Sequence, residues 1–422
     1  MKQMLFSYLL ITSILVLSEV EGLATASTAE FQVNARTSSD QANADIAMDL
    51  NGNFVVVWSS RFGTPGRSND IFGRRFDPNC SPVGDEFQIN TIISGNQKEP
   101  SVAMDTTGNF IVAWQGPGID EEDIFIQQFD PNGQPIGDEF LVNTYTQGKQ
   151  QCPKVAMSRD GAFAVVWESE KLGTDINTRV VSCQLFDVNG LAVGEEFEVD
   201  LLGDCRYPDI AMDPNGNFAV VWMEDGSSNN LIMIRLYNAD GTARTKPLDA
   251  STIEFDTLTR PSIAMNNSGH FVVAWDGDPD RASLDDIHAR LYDPNGIPLG
   301  DQFIVNTTLS DAQQYPQVAM NNRGEFVIVW ESEIESSTVE RDIFGQRYDS
   351  LGQPIGDEFQ LNTFVEGDQG YPDIALSDNG VFVTVWQSNG QDGAGWGIFG
   401  KIGSIVDSGE HAPDELMDFY DF

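Results

Sequence analysis

Seven times along the chain a glycine, a variable residue and a phenylalanine lead into an apolar run that closes on tryptophan. The first copy is GNFVVVW, residues 52–58. GNFIVAW, GAFAVVW, GNFAVVW, GHFVVAW, GEFVIVW and GVFVTVW follow, and the tryptophans are Trp58, Trp114, Trp167, Trp222, Trp275, Trp330 and Trp386, 53 to 56 residues apart. Side chains of an extended strand alternate between two faces, so Phe54, Val56 and Trp58 share one and Val55 and Val57 the other. Both faces are apolar, which predicts a strand covered on both sides. Three more strand-length runs complete each repeat. In the second they are PSVAMD (100–105), DIFIQQFD (123–130) and GDEFLVN (137–143), on either side of 108–114. Val, Ile and aromatic residues fill these runs, turn residues bound them, and no helical period persists. The last run is different in kind. In EFQIN, Phe87 and Ile89 share a face while Glu86, Gln88 and Asn90 share the other, the pattern of a half-exposed outer strand.

The first run of six repeats ends in Ala-Met, from Ala47-Met48 to Ala319-Met320, and the seventh in Ala375-Leu376. A small residue at one fixed place suits the crowded centre of a radial array, with flexible Met filling gaps between repeats. Four-stranded antiparallel units repeated about an axis make a β-propeller. The termini argue against an open solenoid. AEFQVN (29–34) is a fourth strand without its first three, and GIFGKIGS (397–404) is a third strand without its fourth. Pairing them removes the open sheet edge. The expected fold is therefore all-β, a seven-bladed propeller over 29–405 closed by the N-terminal strand.

The remaining segments and the charge refine this picture. Residues 1–26 carry Lys2, an apolar stretch and an Ala-Thr-Ala site, the pattern of a secretory signal peptide. Residues 406–422 are acidic, with no Lys or Arg, and read as a disordered tail. Export predicts a secreted, extracellular or periplasmic protein. The formal charge of −42, from 65 acids against 23 bases, disfavours nucleic acid and anionic membrane as partners. Four cysteines allow three pairings, of which Cys152–Cys205 is preferred because both sit in equivalent loops of consecutive repeats; the alternative is that all four are unpaired.

Two segments, DIFGRRFDPNCSPVGDEFQINT (70–91) and DIFGQRYDSLGQPIGDEFQLNT (342–363), resemble the blades of bacterial secreted and surface β-propeller proteins, and the resemblance runs over about residues 30–404. It implies an extracellular scaffold or adhesion module and carries over no catalytic residue. The fourth repeat departs from it: NADGTARTKPLDAS lacks the G-D-E-F element, which leaves its outer strand in question.

Turns of constant length, such as DLNGN and DPNGN, mark one face of the ring as structural. The opposite face has loops of eight to twelve residues and is where binding is expected. Tyr145, Tyr207, Tyr315 and Tyr371 fall on that side. Gln313 and Gln369 belong to a recurring glutamine (Gln41, Gln97, Gln150) that reads either as a sugar ligand or as an amide satisfying the backbone. Asp120, Glu121 and Glu122, and Asp276, Asp278 and Asp280, form acidic groups suited to calcium or to a solvated rim. Asp45, Asp209 and Asp373 occupy one equivalent position and approach the central channel. The expected function is non-catalytic binding or adhesion, with carbohydrate or protein as partner and calcium assisting. The alternative is a polysaccharide-active glycoside hydrolase or lyase using carboxylates on the variable face. No Ser/His/Asp triad, P-loop or dinucleotide fingerprint accompanies the three histidines.

Overall fold

The computed structural model describes residues 29–61, 68–172, 178–200, 203–226, 230–252, 260–278, 284–333 and 340–405. Segments 1–26 and 406–422, and Asp280, lie outside them. The strands form seven four-stranded antiparallel sheets, six of them with the inner strand first in sequence. The inner strands are Gln41–Met48, Lys98–Met104, Gln150–Met157, Asp204–Met212, Ser262–Met265, Gln313–Met320 and Gln369–Leu376. In the seventh blade the order runs Gln369–Leu376, Val381–Asn389, Trp396–Ser404 and then Phe31–Gln32 from the other end of the chain. Phe31 pairs with Gly400 and Gln32 with Phe399, so the N-terminal strand closes the ring as expected.

The two apolar faces of the tryptophan strand serve two different neighbours. Phe54, Val56 and Trp58 pack with Val383 and Val385 of blade seven, while Val55 and Val57 pack with Val112 and Trp114 of blade two. All seven tryptophans of the repeat are buried. Four of them donate the indole Nε1–H to the recurring glutamine: Trp114 to Gln97 at 3.0 Å, Trp167 to Gln150 at 3.0 Å, Trp330 to Gln313 at 2.7 Å and Trp386 to Gln369 at 3.2 Å. A buried indole needs such an acceptor.

The D-E-F and V-N-T elements are also clasps. Asn90 accepts from Ile71 N–H and donates to Asp70 within blade one, and Asn143 and Asn362 do the same in their blades. Glutamates of the outer strands reach back to the preceding blade. Glu139 holds the backbone at Ile92, Glu196 that at Thr144, and Glu358 that at Thr307. At the closure Glu86 holds Ala35, and Glu30 holds Thr363. Blade four lacks this glutamate; its outer strand, Leu248–Asp249, is as short as those of blades one, five and seven.

The predicted Cys152–Cys205 disulfide is not formed; all four cysteines are free. The two are not at equivalent positions. Cys205 takes the place of the clasping glutamine and is buried between blades three and four, whereas Cys152 faces the axis. Trp222 accordingly has no partner for Nε1.

Candidate functional site at the axial pocket

In six blades the inner strand carries a bulge near its start, seen as a register shift against the tryptophan strand. The residue at the bulge has a left-handed backbone: Asn43, Glu99, Cys152, Tyr207, Tyr315 and Tyr371, all with φ between 49° and 55°. Five of the six precede a proline, a position normally driven to extended conformations. Neighbouring blades hold several of the bulges in place. Gln115 accepts from Cys152 N–H at 2.8 Å, Glu168 from Tyr207 N–H at 2.7 Å and Glu331 from Tyr371 N–H at 2.5 Å. With Arg260 of blade five, these side chains surround an axial cavity of about 130 Å³. The inner strands start on the variable-loop side, so the cavity opens there.

The wall is asymmetric. Tyr315 and Tyr371 lie with ring centroids 5.0 Å apart at 43°. The Arg260 guanidinium sits over Tyr207 at 4.7 Å and over Tyr315 at 4.8 Å, within cation–π range of both rings. Glu99 stands in blade two. Burial pushes its carboxyl above the usual range, against the opposing pull of Arg260 and Lys154. Burial likewise pushes Glu331, behind Tyr371, to about 7, and Asp276, which accepts from Arg260 N–H, to about 7.

Two residues further along each inner strand is a second ring: Asp45, Ser101, Lys154, Asp209, Ser262, Gln317 and Asp373. Five of these seven residues latch their blade to the next, Ser101 and Ser262 through Val155 N–H and Val318 N–H. Asp373 takes Ile46 N–H at 2.8 Å, Asp45 takes Val102 N–H at 2.6 Å, and Asp209 takes Ile263 N–H at 2.9 Å. Lys154 cannot accept, and in the following blade Ile210 N–H turns to its own Asp209. Lys154 Nζ instead lies 3.3 Å from Asp45. Burial would pull its pKa down, but Asp45, Asp209 and Asp373 together raise it. Asp209 and Asp373 are themselves raised, chiefly by burial.

The residues singled out from sequence thus separate. Tyr207, Tyr315 and Tyr371 meet in the cavity, above Asp45, Asp209 and Asp373. Tyr145 lies outside it, with Lys171 Nζ 4.1 Å over its ring. Gln313 and Gln369 are buried and clasp tryptophans. Asp120 and Glu121 are exposed; Glu122 pairs with Lys98 at 3.2 Å and Glu121 with Lys149 at 4.0 Å. Asp276 and Asp278 are buried. Among the described residues no three His, Cys, Asp or Glu side chains are arranged to hold a metal ion. The Asp49 and Asp213 turns are hairpin caps, each carboxylate accepting backbone N–H groups two and four residues on. Asn43, Glu99 and Arg260 escaped the sequence reading, and Cys152 entered it only as a disulfide partner, although each stands in register with the three tyrosines, immediately before the proline or its equivalent.

No family model matches the chain, and no curated protein matches it. Solved structures do. A protein of unknown function from Dyadobacter fermentans superposes with a TM-score of 0.53 at 11% identity, over 88% of this chain and 97% of that one. An ulvan lyase from a new family of polysaccharide lyase, bound to -[GlcA(1-4)Rha3S]-, gives 0.53 at 10% identity, over 89% and 96%. At such identity the likeness is one of fold: the chain is similar over nearly its whole described length to other propellers, one of them a polysaccharide lyase.

Proposed function

We propose that the protein is a polysaccharide-active enzyme, a glycoside hydrolase or lyase, acting outside the cytoplasm through its axial pocket. The observation that carries this reading is Glu99, a carboxyl disposed by burial to keep its proton, in a blade-specific cavity walled by three tyrosines and Arg260. Tyrosine rings give a sugar ring an apolar face to stack on. Breaking a bond to a sugar oxygen, by hydrolysis or by elimination, requires a proton on the leaving oxygen, and Glu99 is placed to supply it. In hydrolysis a second carboxylate serves as nucleophile or directs water, and Asp45, Asp209 and Asp373 lie on the cavity floor. In elimination a tyrosine serves as base. The ulvan lyase fold match agrees with this class without fixing a substrate.

A second reading has one observation in its favour. Asp45, Asp209 and Asp373 all accept backbone N–H groups, which is a structural employment. On that reading the pocket recognises glycan for adhesion and cuts nothing.

The test is incubation of the full chain with a polysaccharide panel, followed by product analysis. New reducing ends alone indicate hydrolysis; ultraviolet-absorbing unsaturated ends indicate elimination. Glu99→Gln should lower kcat by about 10²- to 10⁴-fold and leave oligosaccharide binding in place. Saturable binding with no new ends would replace the enzyme by the adhesion reading. A fully active Glu99→Gln would remove Glu99 from the chemistry.

A further inference from the structure

The cavity holds a guanidinium whose ring contacts are complete and whose donors are not. Arg74, Arg235 and Arg347, also half-buried on the ring, donate to backbone carbonyls of Val33, Val199 and Ser404. Arg206 and Arg341 pair with Asp204 and Glu331. Arg260 is fixed differently, by Tyr207 on one side and Tyr315 on the other, with a planar fork of N–H groups left between them. Among the described residues no carboxylate lies within ion-pair distance of that fork. Glu99 feels the charge of Arg260 from blade two without closing on it. A guanidinium held by stacking, with its edge turned to a cavity, is suited to two parallel hydrogen bonds to one anionic group. Glu331 and Asp276 also feel the charge of Arg260, and Asp45, Asp209 and Asp373 line the floor, but none of them forms an ion pair with the fork.

Resting on the reading of this pocket as a glycan site, we infer that its ligand is an anionic sugar whose carboxylate or sulfate is clamped by Arg260 between Tyr207 and Tyr315. The clamp sets an orientation. The charged substituent points to blade five, and the bond to be broken lies on the side of Glu99, in blade two. It also explains how so acidic a protein takes an anionic glycan: the anion meets the Arg260 guanidinium at the pocket, while the Lys154 ammonium on the floor is already engaged by Asp45, so selection falls on chain ends or exposed units that enter the cavity.

The experiment is calorimetric titration of the full chain at neutral pH with matched probes: methyl glucuronide and methyl galacturonide, the corresponding neutral methyl glucoside and galactoside, and their 6-sulfates. At least one anionic probe should bind about tenfold or more tightly than its neutral counterpart. Whether uronate or sulfate leads identifies the source of the charge. Arg260→Met should bring the ratio to within about twofold, and Arg260→Lys, which keeps the charge without the fork, should retain part of it. Thermal unfolding of each variant checks the fold, and Arg260→Lys carries the test if Arg260→Met is unstable. Equal binding of charged and neutral probes, or an unchanged ratio in Arg260→Met, overturns the clamp and leaves the glycan site standing. No binding by any probe overturns the clamp and the glycan reading together.

Discussion

Replacing Lys154 by methionine separates the electrostatics of the channel from its packing. The wild-type floor holds Asp45, Asp209 and Asp373 around one ammonium, with Asp45 at 3.3 Å. Removing one member of a fully buried charge pair costs about 3–5 kcal/mol, and an exposed pair contributes less than about 1. The Lys154 side chain retains 32% of its exposure, through the channel, against 11% for Asp45, so an intermediate loss of about 2–3 kcal/mol is expected near pH 8. Unfolding entropy of about 2.1 cal/mol/K per residue, over a ring of this length, turns that into a fall in Tm of about 3–4 °C. The pH dependence gives the sign. Asp209 and Asp373 are raised in the folded state, so in the variant as in the wild type they stabilise the fold at acid pH and lose that contribution as pH rises through their folded values. Lys154, also raised, contributes throughout this range and is lost only in strong alkali. Without the lysine, a proton on Asp209 or Asp373 is the remaining relief. The deficit of Lys154→Met should therefore narrow to under about 1 kcal/mol near pH 4.5 and widen toward pH 8. Thermal unfolding of both proteins across that interval is the assay. A deficit independent of pH would mean that packing, rather than charge, holds Lys154 in place.

Two further substitutions test the frame. Cys205→Gln restores the clasp that blade four lacks, and by giving Trp222 Nε1 an acceptor it should raise stability by about 0.5–1.5 kcal/mol in urea unfolding; a loss would mean that the site cannot admit the longer side chain. Glu30→Ala removes the contacts to Thr363 and Gln391 that lock the closing strand, and should cost about 1–2 kcal/mol; unchanged stability would show that the two ladder pairs at Phe31 and Gln32 suffice for closure.

The frame was legible because it repeats. Seven doubly apolar strands require seven pairs of neighbours, and an orphan fourth strand at one end of the chain requires an orphan third at the other. The glutamine could be seen but not interpreted, since an amide beside a tyrosine and an amide beneath an indole look alike in sequence; the contact from Gln313 to Trp330 decides between them. Calcium was an expectation from acidic loops, in one of which Glu121 and Glu122 face Lys149 and Lys98. The mouth of the channel was only half visible. Three tyrosines at one register stood out by their bulk, while Glu99 and Arg260 at the same register did not, because comparison of repeats discards what differs between them. The bulge that aims Glu99 and the tyrosines at the axis leaves no alternation signal either: it inserts a residue where the strand pattern already pauses at a proline.

That bulge gives a physical reason to place function at the mouth. A left-handed backbone costs a residue with a Cβ about 1–2 kcal/mol and costs glycine almost nothing. The chain is rich in glycine and uses it at positive φ in its hairpin turns, from Gly52 to Gly380. At the bulges it does not: in blade seven Gly370 stands beside the strained position, and Tyr371 occupies it. A bulge needed only to close the ring would be met by glycine in every blade. The side chains at these six positions are kept against the preference of their own backbone, and they differ from blade to blade in size, charge and proton affinity. Strain of this kind persists where the surrounding structure enforces it and where the side chain is used. Gln115, Glu168 and Glu331 supply the enforcement through the bulged N–H groups, and the tyrosine-walled cavity, with Glu99 and Arg260 in different blades, is what remains to supply the use.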